Sequence, residues 1–292
     1  MNRDKIALIT GVSSGIGRAT ATLLSGRGFR VFGTMRRLGE PDGQLGTVEV
    51  IRLDVRDEES VRSCVQTVLD RAGRIDALVN NAGSRLIASL EETSIEEAKE
   101  LFETNFFGAL RMAQAVLPIM REQGYGRIVN IGSVVGFLPA PYQGIYAASK
   151  HALEGYSESL DHEVRQFGIR VAVVEPGFTR TKIDQNRQLI RQPLAVYAHE
   201  RNRVLSANPV KIANGEDPLG VASVVLEALT SRSPRLRYPA GRQAKLATRL
   251  RTFIPAGLFD KGLRKQFGLI ALETRLSTGG LIARHLHSQT IR

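Results

Sequence analysis

Thr10-Gly11-Val12-Ser13-Ser14-Gly15-Ile16-Gly17 follows the apolar run Ile6-Ala7-Leu8-Ile9 and leads into Arg18–Ser25, a stretch with helical spacing. Three glycines at offsets 0, 4 and 6 sit between a strand and a helix. In that context glycine lets the backbone turn tightly and approach a pyrophosphate, while the helix N-terminus offers free N–H groups and a partial positive charge. The stretch therefore predicts a dinucleotide site built on Gly11, Ser13, Ser14, Gly15, Ile16 and Gly17.

Outward from this turn, short apolar runs alternate with helical stretches. Arg30–Met35, Val48–Leu53, Ala77–Val79, Arg127–Ile131 and Val171–Glu175 read as further strands. Long helices are expected at about 95–120 and 146–167, with Asp57 as an N-cap ahead of Glu58 and Glu59. Alternation of this kind implies βαβ units and a parallel sheet, and the continuous Val/Ile/Leu runs imply helices on both faces. After Gly177 the rhythm breaks: residues 178–217 are polar, carry Pro193 and Pro209, and read as a binding loop or lid. A helix at Pro218–Ser231 and a last strand at Leu236–Tyr238 follow, then a basic amphipathic helical tail from Arg242, interrupted by Pro255 and Gly257.

The end of the second strand selects the cofactor. An acid there would bind a ribose 2′-hydroxyl and favour NAD(H). Thr34-Met35-Arg36-Arg37 offers none, and a guanidinium suits a 2′-phosphate, so NADP(H) is expected, with Arg36 ahead of Arg37 as the ligand. Asp54, with Val55, lies where it could meet the adenine edge, and Asn81, Ala82 and Gly83 follow the fourth strand.

Tyr146-Ala147-Ala148-Ser149-Lys150 places a phenol and an ammonium four residues apart, on one helix face. A cation beside it favours the phenolate, which would make Tyr146 a usable acid/base. Ser133, 13 residues earlier at the end of the fifth strand, could hydrogen-bond a substrate carbonyl or its developing alkoxide. Asn105, in the preceding long helix, could hold a water between Lys150 and solvent.

Thr10–Gly17, Asn80–Gly83, Asn105, Ser133, Tyr146 with Lys150, and Pro176-Gly177, in this order and at these separations, resemble the short-chain dehydrogenase/reductase family over roughly residues 5–240. Leu236-Arg237-Tyr238-Pro239 and the long C-terminus resemble its 17β-hydroxysteroid and retinol dehydrogenase branch. The resemblance implies a doubly wound α/β Rossmann fold with a mainly parallel seven-stranded sheet in a catalytic domain at 1–241, of which 178–217 is the substrate lid. A basic helical extension follows at 242–292. It implies hydride transfer between the nicotinamide and a CH–OH carbon without a metal. By resemblance Tyr146 is the general acid/base, Lys150 its tuner and a ribose ligand, Ser133 the substrate-oxygen stabiliser and Asn105 a proton-relay member. Pro176 and Gly177 would lie beside the nicotinamide, with Thr179 on its carboxamide. A homodimer or homotetramer built on the two long helices is implied as well.

Composition narrows the remaining choices. Hydrophobic residues make up 42% of the 292, which excludes a disordered chain, and one cysteine, Cys64, excludes an intramolecular disulfide framework. No apolar run approaches the ~20 residues that span a bilayer, and Ile6–Ile9 is too short for a secretory core, so a cytoplasmic protein is expected. Residues 232–292 hold 13 Lys/Arg and 2 Asp/Glu, and the other 231 residues hold 27 of each, so the whole +11 sits in the last fifth. That tail is a solvated basic surface, a contact for an acidic membrane or a cover for the active-site mouth; nucleic acid is not expected. Its apolar residues include Leu246, Leu250, Phe253, Ile254, Leu258, Phe259 and Leu263. The histidines show no ligand spacing, His285 and His287 included, and Cys64 reads as helix core. Phe137, Leu138, Tyr142, Ile183, Leu189, Ile190 and Tyr197 are candidate walls of an apolar pocket, which suits a lipophilic, steroid-like or retinoid-like alcohol or ketone. The rivals are a 3-oxoacyl-thioester reductase of lipid metabolism and a non-catalytic dinucleotide-sensing regulator.

Overall fold

A computed structural model describes residues 5–38 and 45–266. Among them seven strands form one sheet: β1 (Lys5–Ile9), β2 (Phe29–Met35), β3 (Glu49–Arg52), β4 (Ala77–Asn80), β5 (Gly126–Ile131), β6 (Ile169–Pro176) and β7 (Arg237–Ala240). Their order is β3-β2-β1-β4-β5-β6-β7, and each neighbouring pair is parallel. The order reverses between β1 and β4, the point at which open sheets of this kind hold ligands at the carboxyl ends of the strands.

Alternation along each strand feeds two cores, because successive side chains leave opposite faces. Ile9, Val79 and Val129 pack on one side with Leu24 of α1 (Gly15–Ser25) and with Val221 and Val225 of α7 (Pro218–Thr230). Leu8, Leu78 and Ile128 pack on the other with α2 (Glu58–Ala72), α4 (Gly108–Gln123) and α5 (Gly144–Val164). Cys64 belongs to this second core at 1% exposure, and burial pushes its thiol up to about 12, so it is an inert core residue.

Local chemistry sets the helix ends. Asp57 accepts the Ser60 N–H at 2.6 Å and caps α2, with Glu58 and Glu59 in the first turn. Ser94 and Glu97 close a capping box at the start of α3 (Ile95–Phe102).

Three expectations are corrected. The long helix near 95–120 is not uniform: a π turn, Glu103–Phe107, separates α3 from α4. The second long helix gives way to a tighter turn at Arg165–Phe167. Residues 178–217 are not one irregular loop, since α6 (Ala198–Ala213) occupies much of the segment with Pro209 inside it. This helix buries Arg201 and Asn208 beside Val204 and Ile212, so its inner face lacks the apolar repeat that marks a helix in sequence.

The chain divides into a unit ending at Thr248 and a second from Arg249 onward, a division that falls within α8 (Arg242–Phe253). In the first unit Ala244 is buried while Leu246 is exposed. The second contains the end of α8 and α9 (Ala256–Gln266), in which Phe253 and Leu258 are exposed and Arg251 lies over the Phe259 ring. His285 and His287 lie outside the described residues. No described helix is long and apolar enough to cross a membrane.

Candidate active site

The loops after β1 and β4 are stitched together. Thr10 is buried, and its Oγ1 accepts the N–H groups of Asn81 and Ala82, both at 2.9 Å. Asn81 Nδ2 donates back to the carbonyls of Thr10 (2.9 Å) and Gly11 (2.8 Å). Gly11 sits at φ +73° and Gly15 at φ +61°, the left-handed region that glycine enters without penalty. A Cβ on Gly17 would lie 2.3 Å from both Gly11 O and Asn81 Nδ2, so that position must stay bare.

The N-terminus of α1 fits an anion. Ser14 makes no side-chain cap and the first turn holds no acid, so the first N–H groups are left for a ligand. Beside them runs a cleft of about 850 Å³, lined by Ser14, Gly15 and Arg18 on one side and Thr181, Asp184 and Ile212 on the other. Ser13 is exposed and Ile16 half-buried at this turn. Thr181, not anticipated from sequence, approaches Gly15 so closely that a Cβ there would stand 3.0 Å from the threonine Cβ.

Arg36 and Arg37 stand exposed beyond the end of β2. Asp54 is engaged by Arg56, whose Nε and Nη2 reach its carboxylate at 3.0 and 2.6 Å. That hydrogen bond holds the Asp54 carboxyl below its ordinary value, against the opposing effect of burial. Val55 is buried, and a Cβ on Gly108 would stand 2.7 Å from its Cγ2. Gly83 faces Asn105 Oδ1.

Tyr146, on the first turn of α5, is buried, and Ser133 at the end of β5 lies close enough to bear on its phenol. Burial pushes the phenol above its usual value; Arg85 and Ser133 pull it down. Lys150 lies one turn further along α5 and is buried. Its Nζ lies 6.0 Å from the Tyr146 ring centroid and donates to Ile131 O at 2.7 Å. Burial lowers its ammonium to about 8, with Glu154 opposing. The cation that draws the phenol down here is Arg85, whose guanidinium carbon lies 5.9 Å from the ring.

Asn105 sits in the π turn, where the widened backbone turns its buried amide toward α5 and the loop after β4. Its Oδ1 accepts Ser84 N–H (2.8 Å), and Nδ2 donates to Ser84 O (3.0 Å) and Ser149 Oγ (3.1 Å). The side chain thus clamps those two segments together. Pro176 ends β6, Gly177 is half-buried, and Thr179 donates to Gly177 O at 3.2 Å.

The substrate wall agrees only in part with the sequence. Ile190 packs with Tyr146, Leu86 and Leu101. Tyr142, at φ +61°, meets the Tyr197 ring edge-on at 6.5 Å. Leu189, expected in the wall, is 73% exposed because its neighbours are held by polar ties that turn it outward. Those ties run from the 188–208 segment to the acids after β4: Arg191 N to Glu97, Leu194 N to Glu92, Tyr197 to Glu91, and Arg201 to Glu92.

Sequence reading also missed Arg85, Gln143, Asp184, Asn208, Glu154 and Glu175. Glu154 had a signal, since Tyr146, Lys150 and Glu154 recur every four residues on one helix face. The others had none. Among the described residues no group of three or more His, Cys, Asp or Glu could hold a metal.

Comparison with known proteins agrees with this architecture. The profile of the family described as short chain dehydrogenase matches residues 5–191. A 3-ketodihydrosphingosine reductase of Bacteroides thetaiotaomicron is 37% identical over 265 residues, spanning 90% of this chain and 97% of that one. Retinol dehydrogenase 8 of Bos taurus is 35% identical over 275 residues, 87% of this chain and 86% of that one. The crystal structure of a short-chain dehydrogenase from Streptomyces avermitilis superposes with a TM-score of 0.75 at 34% identity, covering 96% of this chain and 99% of that one. The chain belongs to the short-chain dehydrogenase/reductase family.

Proposed function

We propose that this protein is an NADP(H)-dependent oxidoreductase that interconverts a lipophilic secondary alcohol and its ketone. The observation that carries the reading is the buried Tyr146 phenol, drawn down by Arg85 and Ser133 with Lys150 6.0 Å from its ring, in a chain whose first turn is held open by Gly11, Gly15 and Gly17. When bound, the cofactor would supply or accept hydride at its nicotinamide. The chain's own residues do the rest. Gly11, Gly15 and Gly17 admit the phosphates to the N–H groups of α1, and Asn81, Ala82 and Gly83 continue the cofactor site from the loop after β4, which Asn81 and Ala82 tie to Thr10. Ser133 Oγ holds the substrate oxygen, and Tyr146 Oη gives it a proton during reduction or takes one during oxidation. Lys150 and Asn105 support that phenol, Lys150 also serves as a ribose ligand, and Pro176, Gly177 and Thr179 border the nicotinamide end. Burial excludes water from the phenol and strengthens each of these interactions.

NADP(H) is supported over NAD(H) by Arg36 and Arg37 and by the lack of an acid between Thr34 and Arg37. A lipophilic substrate is supported by Leu86, Val135 and Ile190 around Tyr146 and by relatives named for a keto-sphingolipid and for retinol. A homodimer or homotetramer through α3–α4 and α5 fits the exposed Ile95 and Phe107, and a cytoplasmic enzyme with peripheral membrane contact fits the basic 242–292 segment. The test is reduced-nicotinamide absorbance with each cofactor across a panel of lipophilic ketones and short sugars. Oxidation of NADPH by the ketones supports the reading; activity confined to the sugars overturns it. Selective turnover of 3-oxoacyl thioesters would favour the thioester reductase, and cofactor binding without any turnover a regulator.

A further inference from the structure

Beside Tyr146 lies a polar cluster centred on Arg85, and its members Gln143, Asp184 and Asn208 have no part in the acid/base chemistry. Arg85 is 6% exposed, and its guanidinium is shared among three partners. Nε and Nη2 donate to Gln143 Oε1 at 3.0 and 2.6 Å, Nη2 also to Asn208 Oδ1 at 3.2 Å, and Nη1 to Asp184 Oδ1 at 3.1 Å. The guanidinium thus joins the loop after β4, the residue ahead of α5, the turn at Ile183–Asn186 and α6.

Two of these partners keep an unused polar atom. Asp184 Oδ2 and Asn208 Nδ2 are both buried and have no hydrogen-bond partner among the described residues. Asn208 as a whole is only 2% exposed. An unpaired buried carboxylate oxygen and an unpaired buried amide each carry a desolvation cost, so both call for a ligand group. One is an acceptor and the other a donor, and adjacent nitrogens of the same guanidinium hold them.

Local charge decides what can sit there. Arg85 and Lys211 bring two positive charges, close enough for Arg85 to weigh on the Lys211 ammonium, and Asp184 brings one negative charge. An ammonium substituent would add a third cation. A carboxylate would face Asp184 and could not donate to it. A keto oxygen would satisfy Asn208 and leave Asp184 unpaired. A neutral hydroxyl donates to the one and accepts from the other.

We propose that Asp184 and Asn208, clamped by Arg85, form a subsite for a hydroxyl group of the substrate, so that the preferred substrate is a lipophilic hydroxyketone, or the matching diol in the reverse direction. The proposal rests on the ketone-reductase reading above and names the substrate class of that site. Arg85 is its positioning residue.

The test is kcat/KM with NADPH for a medium-chain aliphatic ketone and for isomers carrying one hydroxyl on successive carbons away from the carbonyl. The amino and keto counterparts of the best isomer complete the panel. One hydroxyl position should exceed the parent ketone by about tenfold or more, because a site built to bond a hydroxyl rejects the analogue without it. Asp184→Asn removes the acceptor at constant size: the hydroxyl advantage should shrink below about threefold and the keto counterpart should gain. Asn208→Asp replaces the donor with a second carboxylate, and the amino counterpart should then overtake the hydroxyl. Melting temperature and NADPH fluorescence show whether each variant is folded; should either fail, the wild-type panel still decides. Equal kcat/KM for every isomer, or an undiminished hydroxyl advantage in Asp184→Asn, overturns the subsite while leaving the reductase reading intact. Turnover of no member, parent ketone included, overturns both.

Discussion

At the scale of single residues, the proposed chemistry rests on one phenol. Tyr146→Phe keeps the ring and its packing and removes only the exchangeable proton. Turnover should fall by about 10²–10⁴ while NADPH binding persists, measured by absorbance and fluorescence titration. Near-normal turnover would refute the acid/base assignment. The tyrosine and Lys150 were legible from their spacing, but the cation acting on the phenol was not. Arg85 follows Ser84 with no periodic partner, and only folding brings it to 5.9 Å from the ring. Cofactor choice also belongs to this scale. Replacing Arg36 and Arg37 by Asp should reverse the NADPH-over-NADH preference, read as the ratio of kcat/KM values. An unchanged ratio would mean that neither guanidinium meets a 2′-phosphate.

Between elements, close approach sets the limits. Gly17 is where α1 crosses the stitched loops, and a Cβ 2.3 Å from a backbone carbonyl cannot be relieved by a rotamer change. Gly17→Ala should therefore weaken cofactor binding and cost about 1–3 kcal/mol of stability, seen by calorimetric titration and denaturant melts. Between α5 and β6, Glu154 and Glu175 face each other with Arg237 as their shared cation, at 3.6 and 3.2 Å. Bare glycines make the room: a Cβ on Gly132 would stand 2.6 Å from Glu154 Oε1. Burial first, then Glu175, pushes the Glu154 carboxyl up to about 8 from 4.5, against Arg237. A carboxyl raised on folding favours the folded state fully below its unfolded value, and that contribution is lost as pH climbs toward the folded one. Wild-type stability relative to Glu154→Gln should thus decline between about pH 4.5 and 8. Melting temperatures of both proteins at pH 5, 6.5 and 8 check this, and a pH-independent difference would refute it.

For the whole molecule, charge is segregated: the first 231 residues are balanced and the last 61 carry the excess. Within 242–266, basic side chains accompany the exposed Leu246, Phe253 and Leu258, a composition suited to an acidic lipid surface. Full-length protein should float with anionic liposomes and a chain truncated before Arg242 should not; equal flotation would reject membrane contact. The sequence alone determined the sheet, most of the helices that pack on it, the glycine turn and the order of the candidate catalytic side chains, because each follows from local periodicity or from spacing within one element. It did not determine α6, whose inward face carries Arg201 and Asn208 and so shows no apolar repeat. Nor could it show Arg85, Gln143, Asp184 and Asn208 meeting at one guanidinium, since their contacts span up to 123 residues of chain. Buried polar groups far apart in sequence leave no periodic signature; the packed chain alone pairs them, and their identities then fix what the pocket can accept.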